Sequence, residues 1–284
     1  MQASAAQCGL GSSRVLRSAQ PARCAQPTRL RAARRTQPAR CVAVGAAEPR
    51  ALSSYARVLV AGASGGTGSA VIARLVAEGV AVRALVRDPD STASRALPAA
   101  VERVQGDVYD IPTLAPALVG CDAVVCCTGV RPALDPTGPF RVDFLGTCNL
   151  VAAATRVRVA HFTLVTSIGV DDLLFPLNLA WGVLFWKKRG EEALQRSGLP
   201  YTIVRPGGLR SEGAAAPVVL KRGGSYGLPP RALPSGSILR AQVAELCVAS
   251  LTVPAARDAV VECVTDAAAP VLTPEALFEA AARR

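Results

Sequence analysis

The chain has 284 residues, half of them hydrophobic, and a formal charge of +11. Eight arginines and no acid lie in residues 1–47, so everything after carries 11 − 8 = +3, which argues against a nucleic-acid partner. No run of about 18 apolar residues is present to span a bilayer, and the six cysteines after residue 47 have neither C-x-x-C spacing nor more than one histidine beside them, so no metal site is expected.

Residues 1–50 are rich in Arg, Ser and Ala, are free of acid before Glu48 and lack the apolar core of a secretory signal. This is the composition of an organelle transit peptide, with a chloroplast destination favoured, a mitochondrion as the alternative and cleavage expected within 41–50. From Arg57 the pattern becomes regular. Arg57 to Ala61 reads as a buried strand, followed by a glycine-rich turn and a helix over 68–78 that Gly79 stops. Strands are expected at 82–86, 101–104 and 123–127, with a helix over 113–118. Cys126 and Cys127 should face opposite sides of the fourth strand. A longer helix covers 142–156, a fifth strand 162–166, a helix 185–197 and a sixth strand 201–205, stopped by Pro206-Gly207-Gly208. Residues 211–237 are rich in Gly, Pro and Ser and read as loop. A helix over 240–251, a strand over 259–264 and a short helix after Pro274 complete the chain. Continuously apolar strands alternating with helices imply a parallel sheet covered on both faces. The expected fold is α/β: a Rossmann-type doubly wound sheet in one domain, residues 56–284, with a small C-terminal elaboration that forms the substrate cleft.

The turn after the first strand is Gly62-Ala-Ser64-Gly65-Gly66-Thr67-Gly68. In a βαβ context this pattern cradles a dinucleotide. Gly62 makes the tight turn, Gly65 admits the pyrophosphate to the backbone, Gly68 lets the helix approach the strand, and the helix N-terminus offers free N–H groups. The end of the second strand carries Arg87 where an NAD site would have an acid. A guanidinium there can hold a 2′-phosphate, which favours NADP(H) over NAD(H); Asp88 taking the ribose is the alternative. Asp107 and Val108 after the third strand, and Thr128 and Gly129 after the fourth, are further cofactor neighbours by position.

Four strings carry a resemblance: Gly62-x-x-Gly65-x-x-Gly68, Val142-Asp-Phe-Leu-Gly-Thr-Cys-Asn-Leu150, Thr166-Ser167, and Tyr201-Thr-Ile-Val-Arg-Pro-Gly-Gly-Leu209. The chain resembles the atypical short-chain dehydrogenase/reductase family, in its NAD(P)H-binding branch. The resemblance implies a Ser, Tyr and Lys catalytic set, the last two spaced Y-x-x-x-K. Ser167 matches the serine and Lys187 the lysine, which would also hold the nicotinamide ribose. Val183 stands at the tyrosine position, and none of the four tyrosines has a lysine four residues on. The expected function is that of a plastid NADPH-dependent oxidoreductase on a hydrophobic substrate such as a quinone, isoprenoid or pigment precursor. The alternative is a non-catalytic redox sensor or assembly factor within a plastid protein complex. Residues 173–186, which hold both tryptophans, read either as a buried helix start or as an apolar lid or peripheral membrane contact. His161 is expected at a surface or edge, Asp143 and Asn149 as helix caps or braces, and Arg205 as an ion-pair partner. Arg240 is open between a helix start and a place in the cleft.

Overall fold

The computed structural model describes residues 51–130, 135–179, 181–228 and 236–283. The transit-peptide reading of residues 1–50 lies outside them. The first half of the fold is an alternation of strand and helix. It comprises β1 (Val58–Ala61), α1 (Gly66–Ala77), β2 (Val82–Val86), a single turn α2 (Thr92–Arg95), β3 (Glu102–Gln105), α3 (Ile111–Leu118) and β4 (Ala123–Cys126). A π-helical stretch, Phe140–Gly146, then leads into α4 (Thr147–Val157). The second half runs β5 (His161–Val165), α5 (Val183–Arg196), β6 (Tyr201–Pro206), β7 (Gly208–Arg210), β8 (Val218–Arg222), β9 (Ser237–Leu239), α6 (Arg240–Ala249), β10 (Ala259–Thr265) and α7 (Pro274–Ala282).

Eight strands form one sheet in the order β3-β2-β1-β4-β5-β6-β10-β8. All neighbours are parallel except β8, which runs antiparallel to β10. Strands β7 and β9 pair separately as a small parallel ribbon. Residues of β1 alternate between two cores. Val58 and Val60 pack with Val71, Ile72 and Leu75 of α1 and with α6 and α7. Leu59 and Ala61 pack with α3, α4 and Leu194 of α5. Burying Ile72 or Leu75 completely contributes about 1.5–3 kcal/mol each. Cys126 and Cys127 face the two cores in turn, as the sequence leads one to expect. Cys121, Cys126, Cys127, Cys148, Cys247 and Cys263 are all free thiols.

Two expectations are overturned. His161 is buried at the start of β5, between Ala123 of β4 and the β6 strand, and its Nε2 shares a hydrogen bond of 2.9 Å with the Thr202 hydroxyl. A lone polar residue at a strand start looks like a rim position, but the register draws it inside. Burial pushes its pKa down to about 4, aided by Arg257. The stretch 211–237 is not all loop. Its Val218–Arg222 supplies the edge strand β8, which the surrounding Gly, Pro and Ser conceal. Residues 229–235 of that stretch lie outside the description.

Arg205 carries the ion-pair role expected of it. It is buried at the end of β6, with Nε and Nη2 donating to Glu191 at 3.0 and 2.6 Å. Its Nη1 donates to Asp171 at 2.6 Å and to Glu262 at 3.3 Å. Burial opposes the charge on Arg205, but the Glu191 and Asp171 carboxylates outweigh it and raise its pKa. Asp171 is itself half-buried, yet hydrogen bonds from Lys188 and Arg205 hold its carboxyl below the ordinary range. Thr166 donates to Glu191 at 2.6 Å, and Gly224 and Tyr226 donate backbone N–H groups to Glu262 at 2.9 and 2.8 Å. The cluster thus ties α5, β6, β10 and two connecting turns to one cation.

Candidate functional site

The strand order reverses at β1, whose neighbours are β2 and β4. The crevice beyond their C-terminal ends is where an open α/β sheet binds ligands. Gly62 sits there at φ +75°, and a Cβ on it would lie 2.6 Å from the Cys127 carbonyl oxygen. A Cβ on Gly68 would overlap the Gly62 carbonyl. No other residue type fits either place. Gly65 precedes α1 with no side-chain cap, so the first-turn N–H groups have no acceptor within the helix.

A cavity of about 450 Å³ opens at this crevice, lined by Gly62, Ser64, Gly65, Arg87, Asp107, Val108, Thr128 and Gly129 among others. Eight of the residues expected from sequence thus converge on one space. Gly66, Thr67 and Gly68 form the adjoining first turn of α1. Arg87 is exposed at the β2 end. Asp88 does not line the cavity; its carboxylate accepts from the Asp90 N–H at 2.9 Å.

Ser167 and Lys187 do not line the cavity, but Lys187 borders it. Its Nζ lies 3.5 Å from where a Cβ on Gly129 would sit, and it donates to Asp143 Oδ1 at 2.7 Å. Ser167, beyond β5, donates its hydroxyl to the Ile168 carbonyl at 3.0 Å. Asp143 therefore does not cap its helix. Its fully buried carboxylate holds Lys187, and its Oδ2 has no hydrogen-bond partner in the structure. The π-helical stretch presents Asp143, and α5 packs close to it through Gly190, where a Cβ would meet the Asp143 carbonyl at 2.7 Å. Asn149 is a brace, donating to the Val108 carbonyl at 2.9 Å. Val183 opens α5 one turn before Lys187, so no hydroxyl stands there.

Tyr109 and Arg141 are among the cavity residues that escape a sequence reading. Tyr109 follows Asp107 and Val108, and the Arg141 guanidinium lies 4.9 Å from its ring centre. Burial raises the Tyr109 phenol to about 12, against the pull of Arg141. The only sequence signal was adjacency to motif positions.

A backbone cradle that admits no Cβ, uncapped helix N–H groups and a cation at the β2 end fit a dinucleotide, held by the glycine turn and the residues after β2, β3 and β4. The class so defined is a dinucleotide-binding protein of the atypical short-chain dehydrogenase/reductase type. Residues 62–254 match a family described as NAD(P)H-binding, and the chain belongs to that family. It is 43% identical over 178 residues to the chloroplastic protein TIC 62 of rice (Oryza sativa subsp. japonica), covering 54% of this chain and 35% of that protein. Against the TIC 62 proteins of rice, Arabidopsis and pea, the chain spans between 27% and 35% of their length. It is 38% identical to an uncharacterised chloroplastic protein of Arabidopsis thaliana, covering 78% of this chain and 81% of that one. It is 32% identical to sanguinarine reductase of Eschscholzia californica, over 69% and 84% of the two chains. Among solved structures, a protein of Bacillus halodurans described as an NAD-dependent epimerase/dehydratase matches with a TM-score of 0.68 and 25% identity, covering 79% and 99%. An anaerobilin reductase of Escherichia coli O157:H7 matches with a TM-score of 0.60 and 26% identity, covering 76% and 100%.

Proposed function

We propose that this protein is a chloroplast NADPH-dependent reductase of a hydrophobic, hydride-accepting substrate such as a quinone, isoprenoid or pigment precursor, with residues 1–50 as its import segment. Chloroplastic relatives and two similar reductases support the compartment and the reaction class. Arg87 on the cavity wall, with the Asp88 carboxylate engaged elsewhere, supports NADPH over NADH.

The observation that carries the reading is Lys187 beside Gly129 at the cavity edge, with Val183 one turn before it in α5. The bound cofactor supplies a hydride. Lys187, fixed by Asp143, is placed to hydrogen-bond near Gly129, and Ser167 is the candidate to orient a substrate oxygen. No phenol stands one turn before Lys187 to protonate an alkoxide. Proton donation of that kind contributes about 10²–10⁴-fold to carbonyl reduction. A quinone, whose reduced oxygens are far less basic than an alkoxide, needs little of that help. The test is NADPH oxidation against simple ketones, aldehydes and quinones, with Val183→Tyr beside the parent. Quinones should be turned over and ketones hardly at all, with Val183→Tyr raising ketone turnover. Brisk ketone reduction by the parent refutes the reading.

One observation favours a second reading, a non-catalytic member of a plastid complex that also touches a membrane. Leu174 is 87% exposed and Leu179 90%, with Leu173, Leu177 and Trp181 also half-exposed or more, so the first part of the segment is not a buried helix start, while Val183–Trp186, with Leu184 buried, does open α5. Asn178 knits the loop, donating to the Asp172 and Leu173 carbonyls at 3.0 and 3.1 Å and accepting from the Phe185 N–H. Among the described residues no helix is long and apolar enough to cross a membrane. Binding of NADPH with no turnover on any acceptor, together with co-purification in a plastid complex, would favour this reading.

A further inference from the structure

Arg240 is the first residue of α6 and its side chain reaches across the start of α1. A Cβ on Gly66, the first residue of α1, would lie 2.9 Å from both Cδ and Nε of Arg240 and 3.7 Å from its Cζ. The guanidinium therefore rests against the uncapped N-terminus of α1 while standing at the N-terminus of α6. Both are the positive ends of helix dipoles, where a cation is disfavoured and an anion welcome. Its one side-chain hydrogen bond among the described residues is to a neutral group, the Ser211 hydroxyl, at 2.7 Å from Nη1. It has no ion pair among them.

The position is built. Helices α6 and α1 share a core in which Val243, Ala244 and Cys247 meet Val71, Ile72 and Leu75. Gln242 fastens the start of α6, accepting from the Leu239 N–H at 3.2 Å and donating to the Ala216 carbonyl at 2.8 Å. Gly66 leaves the room that Arg240 fills, although alanine is by far the better helix former there. Arg240 and the uncapped start of α1 thus stand together, with no carboxylate paired to the guanidinium among the described residues.

We propose that Arg240 is a second phosphate-binding cation of the cofactor site, gripping the dinucleotide's diphosphate from the α6 side. The inference rests on the diphosphate lying at the α1 N-terminus, as in the reading above. Arg87 would then select the 2′-phosphate, and Arg240 would bind the part common to NADPH and NADH. The hydrogen bond to the Ser211 hydroxyl holds the guanidinium in place.

The experiment is titration calorimetry of the parent, Arg240→Ala, Gly66→Ala and the double variant. The ligands are NADPH, NADH and adenosine 2′-monophosphate, which lacks the diphosphate. Arg240→Ala should weaken NADPH and NADH by the same factor, about ten- to a hundredfold, and leave adenosine 2′-monophosphate unchanged. Gly66→Ala keeps every charge but puts a methyl where Arg240 Cδ and Nε lie, so it should weaken both dinucleotides too, and add nothing in the double variant. Unchanged dinucleotide affinity in Arg240→Ala overturns the proposal. So does a loss confined to NADPH, which would put Arg240 on the 2′-phosphate, or a loss shared by adenosine 2′-monophosphate. Should Arg240→Ala not fold, Arg240→Gln takes its place, and unchanged dinucleotide affinities there overturn the proposal. A parent that binds neither dinucleotide removes the cofactor reading itself, and this inference with it.

Discussion

Replacing Arg205 by methionine removes the one guanidinium that Glu191, Asp171 and Glu262 share. Arg205 is 2% exposed, and the side chains of Glu191 and Glu262 are 0% and 1% exposed. What remains is Lys188, 2.6 Å from Asp171 and 3.8 Å from Glu191, so one cation would face three carboxylates. Glu262 keeps its two backbone donors and Glu191 keeps Thr166, which soften the loss without replacing the charge. Breaking a buried ion pair from one side costs about 3–5 kcal/mol. For a domain of this size that lowers the melting temperature by roughly 6–20 °C. Urea and thermal unfolding of Arg205→Met measure it, and Arg205→Lys should recover part. The pH dependence carries a sign. Asp171 is held below the ordinary carboxylate range, so its contribution is complete above about pH 4 and is lost as pH falls through its lower folded pKa. Parent and variant should therefore converge in acid. A destabilisation under about 1 kcal/mol, or lost NADPH affinity with stability intact, would refute the structural role and place Arg205 in the binding site.

Three more outcomes are expected. His161, neutral in the fold with its pKa near 4 against 6.5 when exposed, should give stability that is full above about pH 6.5 and falls by roughly 3 kcal/mol as pH drops towards 4. His161→Gln should flatten that slope in pH-resolved melts, and an unchanged slope would exclude His161 as its source. Arg87→Ala should weaken NADPH about ten- to a hundredfold in calorimetry and spare NADH; equal loss of both would move Arg87 off the 2′-phosphate. Leu174→Glu with Leu179→Glu should leave the melting temperature unchanged, because both side chains are exposed, yet abolish sedimentation with anionic vesicles. A parent that does not sediment with them refutes the membrane contact.

Much of this architecture is legible in the sequence because period and punctuation agree. Continuously apolar runs such as 58–61 and 123–126 are what a sheet covered on both faces requires, and glycines at 62, 65 and 68 mark the turn between strand and helix. Helix starts drift by a few residues: α1 begins at Gly66 and α5 at Val183, because packing extends helices past their clearest periodicity. What stays hidden depends on partners distant in sequence. Nothing local to Asp143 tells that its carboxylate meets Lys187 across 44 positions, or that Arg240 lies over Gly66. Strand β8 is hidden for the same reason, since an antiparallel edge strand is defined by β10 more than by its own residues.

The six described thiols bear on how the folded domain meets a changing redox environment. Burial pushes all of them above the usual range: Cys247 to about 12, Cys127 and Cys263 well above it, and Cys121, Cys126 and Cys148 in the same direction. Exchange with a dithiol needs the thiolate, and these sulfurs hold their protons at any physiological pH. Light-driven dithiol carriers would pass over the folded domain, and mild oxidants would find little to attack. Under the function proposed above, its state would follow the ratio of reduced to oxidised nicotinamide nucleotide, a quantity read by occupancy and reversed within the time of ligand exchange, with no covalent record left behind.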